Sequence, residues 1–163
     1  MAFIRTIAGG ADYVSPGELY RDLPRRPGAV PALWAHQSEM LKTFTSKAGK
    51  PDVALELPTG TGKTLTGLLI AEWTRRKRRA RVVYACPTQQ LARQVAASAY
   101  REGIDTALLV GRHDDWPRPA RTVYEAADAI AVTTYSSIFN SNPRLVDADL
   151  ILFDDAHAGE QYV

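Results

Sequence analysis

The sequence predicts an α/β protein: a mostly parallel sheet whose strands are joined by helical crossovers. Three observations carry that prediction. Five short apolar runs alternate with helix-periodic segments, no hairpin signal joins neighbouring runs, and the first junction is a glycine-rich loop, Pro58-Thr59-Gly60-Thr61-Gly62-Lys63-Thr64. Parallel neighbours require crossovers, and these are right-handed.

Residues 1–31 read as an N-terminal extension along the domain edge. Pro16, Pro24, Pro27 and Pro31 stand there among four glycines, which excludes a long helix or a central strand and leaves room for a short strand over residues 3–7. From residue 32 a domain is expected to run to residue 163. Leu33, Trp34, Met40, Leu41 and Phe44 recur at helical spacing over residues 32–47, and Gly49 is a plausible stop. Gln37 on this helix reads by itself as a solvated surface residue.

Val53 to Leu57 predicts the first strand, and the loop at 58–64 opens a helix to about Arg78. That helix ends in the densest charge run of the chain, Arg75 to Arg79. A helix that starts at the C-terminal edge of a parallel sheet ends at the opposite edge, so these cations read as a solvated cap on the helix's negative end. Further strands are expected over 81–86, 106–110, 129–133 and 150–153, with helices over 89–102 and 120–127 and a short one from Thr134 toward Phe139. Gly103 stops the helix that carries Leu91, Val95 and Ala99 on its inner stripe.

The chain is long enough for one domain with a real core. Apolar residues are 45% and charged residues 23%, an ordinary globular balance, and no apolar run is long enough to span a bilayer. No membrane partner is expected, and the default location is cytoplasmic. A net charge of +2 does not announce a nucleic-acid binder by itself. The single cysteine, Cys86, excludes an internal disulfide and a multi-cysteine metal site from this chain alone. His113 beside Asp114 and Asp115 offers potential ligands, but three adjacent loop residues rarely converge on one ion.

The loop at 58–64 is a candidate phosphate cradle. Its glycines let successive backbone N–H groups turn toward one anion, and the helix behind it presents its positive end. Lys63 suits the β- and γ-phosphates, and the Thr64 hydroxyl suits Mg²⁺. The pattern G-x-x-x-x-G-K-[ST] is broken at its first position, where Leu57 stands. Such a site also wants a carboxylate at the sheet edge for the cation. Asp154, at the end of a wholly apolar strand, fits, and Asp155 is then placed to orient or deprotonate an attacking water.

Taken in order, the loop, Pro87-Thr88-Gln89-Gln90-Leu91-Ala92-Arg93-Gln94, Thr133-Thr134-Tyr135 and Asp154-Asp155-Ala156-His157 resemble the first RecA-like domain of superfamily 2 helicases of the DEAD/DEAH-box class. The resemblance spans about residues 33–163. It implies a three-layer P-loop NTPase fold and the use of ATP and Mg²⁺. Pro58, Thr59, Gly60, Thr61, Gly62, Lys63 and Thr64 would hold the nucleotide, with Gln37 reading adenine. Thr64 and Asp154 would hold the metal, and Lys63, Asp154, Asp155 and His157 would act in hydrolysis, His157 by coupling nucleotide state to a second domain. Pro87, Thr88, Gln89, Thr133 and Thr134 would face a single-stranded or duplex nucleic acid, with DNA favoured over RNA.

Two departures from the family accompany the likeness. The family usually has Glu where this chain has Asp155. The sequence also ends before a further motif and its strand, so the sheet is expected to be incomplete at its C-terminal end, with open backbone edges beside the phosphate-loop and Asp154 strands. The expectation is an N-terminal portion of a longer protein whose second RecA-like lobe lies elsewhere, and weak hydrolysis by the 163 residues alone. The alternative is an ATP-responsive nucleic-acid-binding module with little turnover. A small-molecule kinase would share the loop but leaves the Pro87-Thr88 and Asp-x-x-His elements unexplained.

Overall fold

The computed structural model describes residues 12–58 and 60–158; the strand expected over residues 3–7, and Thr59 of the loop, lie outside them. In chain order the elements are α1 (Pro16–Asp22), α2 (Ala35–Lys47), α3 (Lys63–Arg78), β1 (Val82–Cys86), α4 (Gln89–Glu102), β2 (Thr106–Leu108), α5 (Arg118–Glu125), β3 (Ile130–Thr134), α6 (Tyr135–Ile138) and β4 (Leu150–Phe153). A short 3-10 turn covers His113–Asp115.

The strands form one all-parallel sheet in the order β2-β3-β1-β4. Successive strand residues point to opposite faces. Val82, Tyr84, Ile130 and Val132 join a core with α1 to α4, while Val83 and Ala131 join a second one with Trp116, Tyr124 and Leu145. The α/β arrangement predicted from the strand–helix alternation is therefore present, with packed side chains on both faces of the sheet. α3 lies close on β1 because Gly67 faces the Tyr84 ring, where an added Cβ would come within 2.9 Å of the ring edge.

One predicted strand does not form. Residues 52–58 carry no ladder pairing, and among the described residues the outer edge of β4 carries no strand. Val53 and Leu55 do pack against the core, whereas Ala54 and Glu56 are exposed. Apolar character brings Val53 and Leu55 to the core; a strand also needs a neighbour's N–H and C=O groups, which apolar character does not supply.

The proline-rich N-terminal stretch contributes a helix. Ser15 caps α1 by accepting the Glu18 N–H at 3.3 Å, and Pro16 sits at the first helical position, where its missing donor costs nothing. Leu19 is fully buried against α2 and α3. The stretch that follows α1 is fastened to the end of α4. The Arg26 N–H donates to the Arg101 carbonyl (2.7 Å), and the Val30 N–H donates to the buried Glu102 carboxylate (2.8 Å). Gly103 admits this approach: a Cβ there would lie 2.6 Å from the Pro24 carbonyl oxygen.

From Arg76 to Arg79 the basic end of α3 is exposed, as the predicted solvated cap requires, but Arg75 is turned inward. Glu72 is fully buried one turn earlier, and its carboxylate accepts from Arg75 (2.7 and 2.8 Å) and Arg76 (2.6 Å). Arg75 also donates to the Ala127 carbonyl at 2.7 Å, fixing the turn between α5 and β3. Burial opposes the Arg75 charge, yet its hydrogen bonds and attraction to Glu72 hold the guanidinium above its ordinary pKa. Glu72→Gln leaves the Arg75 charge without its partner and is expected to cost about 3 kcal/mol in urea unfolding. Arg76→Ala, at the solvent side, is expected to cost less than about 1 kcal/mol.

Candidate phosphate and carboxylate site

Gly62 is the N-cap of α3 and Gly60 precedes it in the loop, both with φ in the left-handed region, at 76° and 79°. Side chains from α2 hold the loop by its carbonyls. The His36 ring N–H donates to the Thr61 carbonyl (2.9 Å), and Gln37 Nε2 donates to the Gly62 carbonyl (3.2 Å). In a trans peptide the carbonyl and the following N–H point opposite ways. Tying those two oxygens to α2 therefore turns the Gly62 and Lys63 N–H groups away from it, toward the open N-terminus of α3. The Thr61 hydroxyl closes the turn by donating to the Pro58 carbonyl at 2.5 Å.

Gln37 is not the solvated residue that its helix position suggested. It is 3% exposed, and its amide oxygen accepts the Trp34 N–H at 2.9 Å, half of a capping box. It also occupies the space beneath Gly62, where an added Cβ would lie 2.2 Å from Nε2. Trp34, by contrast, is 55% exposed beside His36. Lys63 and Thr64, the first two residues of α3, are half-buried at the loop's end.

The acidic pair stands at the C-terminal end of β4. The Asp154 N–H donates to the Ala85 carbonyl (2.9 Å), which extends the β1–β4 ladder by one step. Burial raises the Asp154 pKa, neighbouring Asp155 raises it further, and the Lys63 charge lowers it. Lys63 thus acts electrostatically at this carboxylate, and the loop and the acid pair share one edge of the sheet. The surroundings also push the Cys86 thiol up to about 12, by burial first and Asp154 second, so that cysteine is an inert core residue. Asp155 is exposed and has φ of 56°, a left-handed conformation. His157 follows in a short turn and is exposed.

The five residues proposed for a nucleic-acid strand divide. Thr88 and Gln89 are exposed at the start of α4, with Pro87 half-buried before them, but the Thr88 hydroxyl also accepts the Leu91 N–H as the helix cap (3.2 Å). Thr133 is fully buried and donates to the Leu109 carbonyl at 2.5 Å, so its hydroxyl braces β3 against the end of β2 and does not reach the surface. Thr134 is nearly buried, with its hydroxyl beside those of Ser136 (2.9 Å) and Ser137 (3.3 Å). A role for Thr133 through its side chain is thereby corrected: full burial at the last positions of a central strand turns the hydroxyl inward.

Sequence reasoning passed over two groups here. A polar cavity of about 230 Å³ beyond the ends of β2 and β3 is lined by Arg112, Arg144, Ser136 and Asn140, among others. Arg112 and Arg144 lie far apart in sequence, and only the crossover brings them together. Tyr135 is fully buried, and its hydroxyl lies between the carbonyls of Asp154 and Asp155. Among the described residues, no cluster of three His, Cys, Asp or Glu side chains could hold a metal alone; His113 meets the Asp114 carboxylate at 3.4 Å and packs against the Trp116 ring.

The elevated Asp154 pKa has a pH signature. The folded chain holds that proton more tightly than the unfolded chain, so this group's contribution lowers stability as pH rises from the ordinary carboxylate range through the raised value. Asp154→Asn removes this dependence. Urea midpoints are expected to be higher for the variant than for the parent at pH 7 and to converge at acid pH.

Comparison with known proteins agrees with this geometry. The family model for the DEAD/DEAH box helicase matches residues 34–162, which include the loop, the β1 and β3 ends and the acid pair. Over 110 residues, 63% of the chain, it is 28% identical to "Putative helicase 22" of Sulfolobus islandicus filamentous virus (isolate Iceland/Hveragerdi). The aligned stretch spans 19% of that viral protein's length. No solved structure matches the chain. With the family model covering most of the sequence and every element of the site, the chain belongs to the DEAD/DEAH box helicase family.

Proposed function

We propose that the chain is the ATP-binding motor lobe of a helicase or translocase that couples ATP hydrolysis to movement along, or unwinding of, nucleic acid in the cytoplasm. The observation that carries this reading is the pairing of a phosphate-type loop at the N-terminus of α3 with the Asp154–Asp155 pair on the same sheet edge, linked by the charge of Lys63. The donor set fits a nucleotide with its cation. Two backbone N–H groups are turned from α2 toward the helix end, with an ammonium and a hydroxyl beside them. The half-buried Asp154 carboxylate next to a second one favours added positive charge.

ATP with Mg²⁺ would supply the transferable γ-phosphoryl group and the cation that offsets its charge. The loop from Pro58 to Thr64 would bind the phosphates, with Lys63 as the point charge. Thr64 and Asp154 would hold the cation through their oxygens, as a small hard ion needs one or two protein ligands besides water. Asp155 would orient the attacking water and accept its proton at a carboxylate oxygen. Gln37 would read adenine with whichever amide capacity its two backbone contacts leave. His157 would touch a second RecA-like lobe.

Pro87, Thr88 and Gln89, with the Thr133–Thr134 segment acting through its backbone, would face the strand. Arg112 and Arg144 of the polar cavity add cations for its phosphates. Contacts to phosphate and sugar position a strand without reading its sequence, which suits a translocating protein. DNA is taken as the first substrate to test.

Lys63→Ala is expected to weaken binding of a fluorescent ATP analogue in Mg²⁺ by at least about tenfold, read by titration. In the full-length protein, Asp155→Asn is expected to lower kcat for ATP by about 10² to 10⁴; a variant as fast as its parent overturns the role given to Asp155. Single-stranded DNA and RNA, added separately, are expected to stimulate hydrolysis. Tight nucleotide and strand binding without stimulated turnover would instead identify the ATP-responsive binding module.

A further inference from the structure

Tyr135 is the first residue of α6 and follows Thr134 directly, so its backbone belongs to the β3 end of the sheet. Its side chain does not stay there. The strand order places β1 between β3 and β4, with Cys86 level with Thr134 on one side and Ala85 level with Phe153 on the other. The Tyr135 ring crosses this strand end and packs edge-on against Phe153 of β4, with ring centroids 5.7 Å apart. Its single O–H proton is shared between two successive carbonyls, that of Asp154 and that of Asp155, the latter at 3.0 Å.

Those carbonyls belong to the turn that aims the acid pair. Asp155 has a left-handed backbone at φ of 56°, uncommon for a non-glycine residue though more accessible to Asp than to most, and contacts around it stabilise that geometry. Three contacts do so. The Asp154 N–H is bonded to Ala85 of β1, the Asp155 carbonyl accepts the Ala158 N–H at 2.9 Å, and the Tyr135 hydroxyl takes both carbonyls from the other side. Of the three, the tyrosine contact alone comes from the β3–α6 junction, where the hydroxyls of Thr134, Ser136 and Ser137 meet.

We propose that Tyr135 is a positioning residue: its hydroxyl holds the Asp154–Asp155 turn in its left-handed geometry and ties it to the β3–α6 junction. Occupancy of that junction by a nucleic-acid strand is then transmitted to the carboxylates. This inference rests on the roles proposed above for the acid pair and the strand. Its mechanical half, the holding of the turn, stands without them.

The test uses Tyr135→Phe, which keeps the ring and removes the O–H, beside Phe153→Leu, which loosens the same aromatic packing and leaves the hydroxyl in place. In ligand-free protein, hydrogen exchange at the Asp154 and Ala158 amides is expected to quicken about tenfold in Tyr135→Phe, with the amides of residues 60–64 unchanged. Unchanged exchange overturns the proposal, and so does an equal change in Phe153→Leu, which would make packing the cause.

In the full-length protein, Tyr135→Phe is expected to lower strand-stimulated kcat by about tenfold at unchanged KM for ATP, and to shrink the ratio of stimulated to unstimulated rate. A raised KM with unchanged kcat, or a stimulation ratio equal to the parent's, overturns the coupling. A parent that hydrolyses no ATP refutes the function proposed above, and the exchange measurement still decides whether the hydroxyl holds the turn.

Discussion

β1 is paired along both edges and buried on both faces, and this double constraint fixes where the candidate groups at the ends of β3 and β4 can stand. Its register with β3 brings the Thr133–Tyr135 segment level with Cys86. Its register with β4 carries Asp154 one step past Phe153, to the Ala85 carbonyl. A slip of one residue in either ladder would move every side chain of that strand to the opposite face. Tyr84 would then lose its seat against Gly67, and α3 its close approach to the sheet. The two cores above and below the sheet make such a slip costly, so the edge that carries the site inherits the rigidity of the interior.

The phosphate loop is held in a different way. No ladder runs through residues 52–58, and the loop's geometry comes instead from α2, whose His36 and Gln37 grip two successive carbonyls. The arrangement uses side chains to orient main-chain donors, which is why a buried glutamine and an exposed-looking histidine matter more here than their helix positions suggest. α2 is in turn packed against α1 and α3 through Leu41 and Phe44. A chain of contacts therefore leads from the N-terminal stretch to the loop: Leu19 supports α2, and α2 supports the peptide planes of the candidate phosphate cradle.

Much of this was legible in the residues. α4 occupies Gln89–Glu102 and ends at a left-handed Gly103, as its glycine foretold, and α3 begins at the loop's Lys63; the stripe predicted through Leu91, Val95 and Ala99 holds for Val95 and Ala99, but Ala92 is buried and Leu91 is exposed. Those features are local, set by periodicity and by one residue's backbone freedom. What escaped is mainly non-local. Gln37 and Thr133 are buried against groups distant in the chain, at Gly62 and Leu109, whereas Glu72 finds its partners three and four residues on, at Arg75 and Arg76, and what its neighbourhood does not announce is the burial. The segment 53–57 shows the converse error, since its apolar character is genuine and its partners are missing from the described sheet. Site chemistry was easier to read than site wiring: the motif residues, Tyr135 among them, could be named in order, whereas the link from its hydroxyl to the Asp154 and Asp155 carbonyls could not.

The left-handed backbone of Asp155 throws light on the residue chosen for that place. Short acids and amides enter this conformation several times more readily than longer side chains, because their polar atoms can satisfy nearby backbone groups. Where the family usually carries glutamate, this chain carries an aspartate whose reach is one methylene less but whose backbone suits the turn. Reverting the position to the family's residue would thus be a trade and not a repair: longer reach toward a substrate would be gained at the expense of the fold's ease in holding it. Side-chain length and main-chain comfort at this turn have to be chosen together, and any substitution at position 155 meets that coupled choice first.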